Sequence, residues 1–224
     1  MKRSEINALM ERAESFFKDM KWQIPPWAFR RPQDWKGKAA AESEIVDNGL
    51  GWDLTDFGSG DFARRGLLLF TIRNGNLRTG GKPYAEKIMI VEEGQETPLH
   101  FHWSKMEDII VRGGGRLVLE LYGSTAEEEL SRESVRVRVD GVLHELPAGG
   151  KIVLGPGESI CLEPGVYHRF YGEAGSGRVL VGEVSAVNDD LTDNRFLEKL
   201  GRFPAIEEDE APRHLLVSDY GKCL

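Results

Sequence analysis

Residues 94–114 read GQETPLHFHWSKMEDIIVRGG. The stretch sets His100 and His102 one residue apart, adds Glu107 after a four-residue gap, and carries a glycine at each end. In an extended strand alternate side chains share a face, so His100 and His102 project together while Phe101 and Trp103 point the other way. Lys105 has the parity of Glu107 and projects inward with it if the strand starts early enough. Two imidazoles and a carboxylate converging on one cavity suit a divalent cation such as manganese, iron, zinc or nickel. Strand alternation places any i, i+2 pair together, so a surface or core histidine pair is the plainer alternative for the two imidazoles alone.

Composition narrows the partners. The 224 residues suit one large all-β domain or two small ones, with enough chain to bury a full core. A net charge of −8 without a basic cluster argues against nucleic acid or an anionic membrane surface as the main partner. No apolar run has the length of a bilayer span, and Met-Lys-Arg-Ser-Glu leads into no signal-type apolar region. Cys161 and Cys223 form no C-x-x-C pair, which fits a reducing compartment and an expected cytoplasmic location.

Outward from the central stretch the chain divides into three parts. Residues 1–60 are expected to form a helix and a wrapping extension of the same unit. Ile6, Leu9, Met10, Ala13, Phe16, Phe17 and Met20 recur at helical spacing over residues 4–20, and Pro25-Pro26 stop the pattern. Trp22, Trp27, Trp35 and Trp52 then follow without a regular period, as in a segment that packs over a sheet or against another subunit. Residues 61–190 are expected to form a β-barrel, after a turn region at residues 53–60. Its strands are expected at residues 67–73, 87–91, 99–103, 107–111, 116–122, 134–139, 142–146, 151–154, 159–162, 168–171 and 178–185. Many short strands separated by turn signals imply a sandwich or barrel. Residues 126–132 read equally as a short helix or an acidic loop. Residues 191–224 are expected to pack on the barrel, with a short helix at 194–200, a solvated acidic loop at 207–210 and a terminal strand at 214–217.

The spacing from Gly94 through His100, His102 and Glu107 to Gly114 resembles the first motif of the cupin superfamily. Residues 157–172, GESICLEPGVYHRFYG, resemble the second motif and supply His168. Here the proline sits one place late and Gly172 stands where an asparagine is common, but the Gly-x-x-His spacing is kept. The resemblance implies an all-β, jelly-roll-like cupin barrel holding one divalent metal between His100, His102, Glu107 and His168. The carboxylate, the third histidine and the matched glycines weigh against the plain histidine pair. His144 and His214 lie outside both motifs and read as structural. Four such ligands leave two positions open on an octahedral ion, which suits a ligand with two adjacent oxygens and a Lewis-acid role for the ion. Iron-dependent oxygen chemistry uses similar ligands, so the metal set alone leaves a dioxygenase open.

The surrounding residues point to polar substrates. Lys87 shares its face with Met89 and Val91 on the strand before the histidines, where the alternative is a solvated lysine. Glu183 interrupts an apolar strand, and a desolvated carboxylate with a raised pKa there is a competent general base. Residues 188–196, NDDLTDNRF, read as a polar turn or as a loop over the barrel mouth that aims Asp190 and Arg195 at sugar hydroxyls.

The segments HFHWSKMEDI, PGVYHRF and GEVSAVNDDLTDNRF, on a cupin with a helical N-terminal extension, look like the bacterial D-lyxose isomerases. That resemblance implies a homodimeric sugar isomerase using a divalent ion, commonly Mn2+, with Zn2+, Co2+, Fe2+ or Ni2+ as alternatives. Its substrates would be D-lyxose and D-xylulose, and for several members D-mannose and D-fructose. Lys105 and Glu183 would be catalytic, and Lys87, Asp190 and Arg195 would contact the monosaccharide. Proton transfer through an enediolate is the expected route and hydride shift the competing one. A non-catalytic sugar-binding cupin also fits. A phosphosugar isomerase would need a basic clamp, for which Arg64-Arg65 is the best candidate, although a solvated pair is the simpler reading.

Overall fold

A computed structural model describes residues 1–37, 41–190 and 192–223. Its strands are β1 Gly51–Thr55, β2 Leu67–Arg73, β3 Tyr84–Val91, β4 His100–Phe101, β5 Glu107–Gly114, β6 Leu117–Gly123 and β7 Val135–Val139. The rest are β8 Val142–Leu146, β9 Gly150–Leu154, β10 Ser159–Leu162, β11 Val166–Gly172, β12 Val179–Ala186 and β13 Arg195–Phe196. Among the described residues they form an eight-stranded sheet, ordered β1-β2-β3-β12-β5-β10-β7-β8, and a five-stranded sheet, ordered β13-β4-β11-β6-β9. Every named pair in both sheets is antiparallel. These two antiparallel sheets form the all-β, jelly-roll-like barrel that the motif resemblance implies.

Two cores follow from strand alternation. Met89, Val91, Ile109, Val111, Val179 and Val181 of the large sheet meet Leu117, Leu119, Leu121 and Phe170 of the small one inside the barrel. Their even-numbered neighbours Ile88, Ile90 and Leu180 face outward, where the helix α1, Arg3–Asp19, covers them with Ile6, Met10, Ala13 and Phe17. The middle of the large sheet is therefore apolar on both faces. Burying each such large side chain contributes on the order of 2 kcal/mol.

The helix ends before its expected stop. Lys21 adopts φ +55°, the Trp22 N–H donates to the Phe17 carbonyl, and the Lys21 N–H donates to that of Lys18, so a Schellman turn ends α1 ahead of Pro25. Arg3, fully buried, then pins the N-terminus by ion pairs to Asp219 at 2.9 Å and Glu208 at 2.7 Å.

Several expected boundaries are corrected. The sheet begins at Gly51, so Asp53 lies in a strand rather than a turn, because Trp52 and Leu54 bury on the helix side and leave Asp53 on the barrel side. Residues 194–200 form no helix: Arg195 and Phe196 pair with Phe101 and His100 instead. Residues 214–217 form no strand, since only Leu216 makes a bridge, to Trp52, before a short 3-10 turn. Residues 126–132 are loop. Among the described residues no helix is long and apolar enough to cross a membrane.

Two motif glycines have steric reasons. A Cβ on Gly114, which has φ +82°, would sit 2.3 Å from the Arg178 carbonyl oxygen. One on Gly172 would sit 2.5 Å from the carbonyl oxygen of Glu92, where the Gly94 N–H already donates to the Gly172 carbonyl. That close approach explains why an asparagine is absent there.

Candidate metal centre and active site

The barrel encloses a cavity of about 300 Å³ lined by residues of both sheets. Small-molecule sites run from about 300 to 1,000 Å³, so a compact polar molecule fits. Strand register builds its floor. His168 on β11 is the cross-strand partner of His100 on β4, and Lys87 on β3 that of Glu183 on β12.

The nitrogens of His100, His102 and His168 available to a metal lie within 4.8 Å of one another. Each ring is held from behind by a backbone carbonyl: Pro98 at 2.9 Å for His100, Asp193 at 3.0 Å for His102 and Val166 at 2.9 Å for His168, all at Nδ1. A carbonyl only accepts, so the proton sits on Nδ1 and the Nε2 lone pair is free for an ion. The Nε2 atoms of His102 and His168 are buried and have no hydrogen-bond partner. Glu107 Oε1 stands 3.1 Å from His168 Nε2 and 3.5 Å from His102 Nε2, without hydrogen-bond geometry. Orphaned buried acceptors around a carboxylate are costly in a protein interior, and a divalent cation satisfies them. The donor set therefore fits the expected metal. Burial, then His168 and His102, hold the His100 pKa well below its ordinary value, which also favours the neutral ligand form.

Beside these groups runs a chain of buried charges. Lys105 Nζ lies 2.7 Å from Glu107 Oε2 and 3.0 Å from Glu183 Oε1. Lys87 Nζ lies 3.2 Å from Glu183 Oε1 and 2.6 Å from Asn188 Oδ1, with Asp190 Oδ1 at 3.9 Å. Burial acts against the Lys105 ammonium, but Glu107, Glu183 and Asp190 outweigh it and raise its pKa. Lys105 precedes the strand rather than continuing it, yet it still points inward.

Glu183 reverses one expectation. Burial alone raises its pKa, but Lys105 and Lys87 outweigh that and hold the carboxyl below the usual range. A single-residue reading of a desolvated carboxylate misses this because both ammonium groups come from other segments. Burial likewise opposes ionisation of Asp190, and Lys87, Arg202 and Lys105 overcome it to lower that pKa.

Arg195 is not brought to the cavity. Its guanidinium donates to Glu128 at 2.8 Å and to the Phe196 carbonyl. Arg202 stands in the cavity instead, 2.8 Å from Asp190 Oδ2 and 3.4 Å from Asp53 Oδ2. Asp53, Arg202 and Phe196 line the cavity and Asn188 accepts from the Lys87 and Lys105 ammonium groups; sequence reasoning missed all four. Only Asp53 left a signal, as the polar member between Trp52 and Leu54. Phe196 stacks on the His100 ring at 5.2 Å, a contact created by the pairing of β13 with β4. Arg65 of the candidate phosphate clamp is paired with Glu96 and Glu198, at 3.1 and 3.0 Å. Cys161 and Cys223 are both free thiols.

The chain is similar to known proteins over nearly its whole length. A sequence model of the D-lyxose isomerase family matches residues 1–220. The D-lyxose/D-mannose isomerase of Serratia proteamaculans is 50% identical, and that of Escherichia coli O157:H7 48% identical, each over 98% of both chains. The solved L-ribose isomerase of Cellulomonas parahominis with L-ribose shares the fold at a TM-score of 0.62 and 19% identity, covering 92% of this chain and 98% of that one. With a family match across nearly its whole length and half its residues shared with such a relative, the chain belongs to the D-lyxose isomerase family and is a sugar isomerase.

Proposed function

We propose that this cavity interconverts D-lyxose with D-xylulose, and D-mannose with D-fructose, by proton transfer between C2 and C1 of the open-chain sugar. The observation that carries the reading is the junction at Lys105, whose ammonium touches both the carboxylate of the metal cluster and the carboxylate of Glu183. A divalent ion held by His100, His102, Glu107 and His168 supplies Lewis-acid polarisation of the substrate carbonyl when bound. The relatives' names supply the sugars.

The chain's own residues then divide the work. Glu183, kept ionised by its two lysines, takes the proton from C2 and, after partial exchange of that proton with solvent, delivers one to C1. Lys105 gives a proton to O1 as the carbonyl oxygen gains negative charge and takes up the hydroxyl proton of O2 as C2 becomes the carbonyl, with Glu183 close enough to exchange hydrogen-bond partners with it. Lys87 and Asp190 orient hydroxyls further along the sugar, with Arg202 in the role that the sequence had suggested for Arg195. Manganese as the native ion and a homodimer belong to the same proposal and rest on the family resemblance, while a cytoplasmic location rests on the two unpaired cysteines. An aldose panel assayed for ketose formation, after metal stripping and readdition, tests the reading. Turnover of D-lyxose and D-mannose that returns with metal is expected. Failure on both sugars with every divalent ion sinks it, and binding without conversion would favour a non-catalytic sugar-binding protein.

A further inference from the structure

We propose that Asp193 is a positioning residue that holds residues 102–105 in place, so that His102 presents Nε2 and Lys105 presents Nζ to the cavity. Between the ligands His102 and Glu107 the backbone leaves the strand pattern: β4 ends at Phe101 and β5 begins at Glu107. No ladder therefore fixes the intervening segment, and its polar groups need other partners. Asp193 supplies them. Its carbonyl accepts the His102 Nδ1–H at 3.0 Å. Its Oδ1 accepts the Ser104 N–H at 2.9 Å and the Ser104 hydroxyl at 2.8 Å, and its Oδ2 accepts the Lys105 N–H at 2.9 Å. One buried residue thus makes four bonds to the stretch carrying both a metal ligand and the lysine that links the metal cluster to Glu183.

The arrangement also joins two parts of the site. Asp193 lies between Asp190 and Asn194, which line the cavity, and just ahead of the strand that pairs Phe196 with His100. The Leu197 N–H continues that pairing by donating to the Leu99 carbonyl. Residues 193–197 thus run beside residues 99–105, and Asp193 closes the end where the strand pairing stops. The Asp193 carboxylate touches neither the cavity nor the candidate ligand atoms, so its effect on them passes through the backbone it grips.

This proposal rests on the metal-dependent reading of the cavity, and its test separates the two. Asp193→Asn keeps one acceptor for Ser104 and sets an amide donor against the Lys105 N–H. The backbone carbonyl that holds His102 stays, so the variant loosens only the Ser104–Lys105 backbone beside that ligand; a loss in Mn2+ affinity of about 10-fold, the low end of what loss of an outer partner itself causes, is expected. The affinity is read from free Mn2+ by electron paramagnetic resonance on folded, metal-stripped protein. In the same variant kcat at saturating Mn2+ should fall while KM for D-lyxose changes less, since the sugar-binding side chains remain. Ser104→Ala removes only the hydroxyl bond and should shift Mn2+ affinity in the same direction by a smaller factor. A folded Asp193→Asn protein with wild-type Mn2+ affinity and kcat, even if its Tm falls, would assign Asp193 a merely structural role and overturn the proposal. A wild-type chain that binds no Mn2+ would overturn the metal reading and this proposal with it.

Discussion

Replacing Glu183 by Gln removes one negative charge from between two buried ammonium groups while nearly preserving the side chain's shape. Two consequences separate cleanly. Loss of a general base lowers turnover by about 10²–10⁴-fold, on the order of 3–5 kcal/mol in the barrier. Stability falls less. Breaking a buried ion pair costs roughly 3–5 kcal/mol when the survivor is left alone, but Lys105 keeps Glu107 at 2.7 Å and Lys87 keeps Asn188 at 2.6 Å. The remaining loss is therefore about 1–3 kcal/mol, the range of a weakened buried hydrogen bond. In a chain of this length each kcal/mol moves Tm by about 2–4 °C. The assay compares kcat on D-lyxose, Mn2+ affinity and Tm for the two proteins. A large drop in kcat with metal still bound and a modest drop in Tm is expected. Conversion in heavy water by the wild type should place solvent deuterium in the product. Near-normal turnover by Glu183→Gln would remove the residue from the mechanism, and product free of deuterium would favour hydride shift.

Three further outcomes follow from particular contacts. Burial outweighs the nearby Arg202 and pushes the Asp53 carboxyl up from 3.8 to about 6. Its folded pKa exceeds its unfolded value, so the protonated form favours folding and that stability is lost as pH rises from about 4 to about 6. Metal-stripped Asp53→Asn should therefore be about 3 kcal/mol more stable than wild type at pH 7.5, with the gap closing towards pH 4. Urea midpoints that differ equally at both pH values would refute this. Gly172→Asn must displace the Glu92 carbonyl that its Cβ would meet at 2.5 Å, and overpacking of this kind costs about 1–3 kcal/mol. An unchanged Tm would contradict that contact. Adding Mn2+ to stripped protein at a thousandfold excess over its Kd stabilises the fold by about 4 kcal/mol, and His168→Ala should lose most of that gain. The same Tm rise in the variant would exclude His168 from the metal cluster.

How much of this was legible depended on whether a residue's role is set by its own segment. Parity along a strand is a local property, so Lys87, Glu107 and Glu183 were placed inward from the sequence, and all three face the barrel. The spacing of two motifs paired His168 with the first histidines although 66 residues separate it from His102. The helix α1 was equally plain, because a 3.6-residue repeat does not depend on what covers it. β13 was missed because two residues give no period, and the polar run before it has turn propensity whatever it docks against.

Charge state and orientation lay beyond the sequence. The Glu183 pKa is lowered rather than raised because Lys105 and Lys87 arrive from segments 78 and 96 residues away. Arg202 rather than Arg195 reaches the cavity because strand pairing turns Arg195 out to Glu128, while residues 197–202 carry the chain back to Asp190. Local period in the sequence by itself determined the many short strands and the helix that covers them, and the resemblance of two motifs pointed to the three histidines that the fold brings together. Only the tertiary structure decided which charges meet across the cavity, because Coulomb and hydrogen-bond energies depend on distances between elements that the sequence keeps far apart.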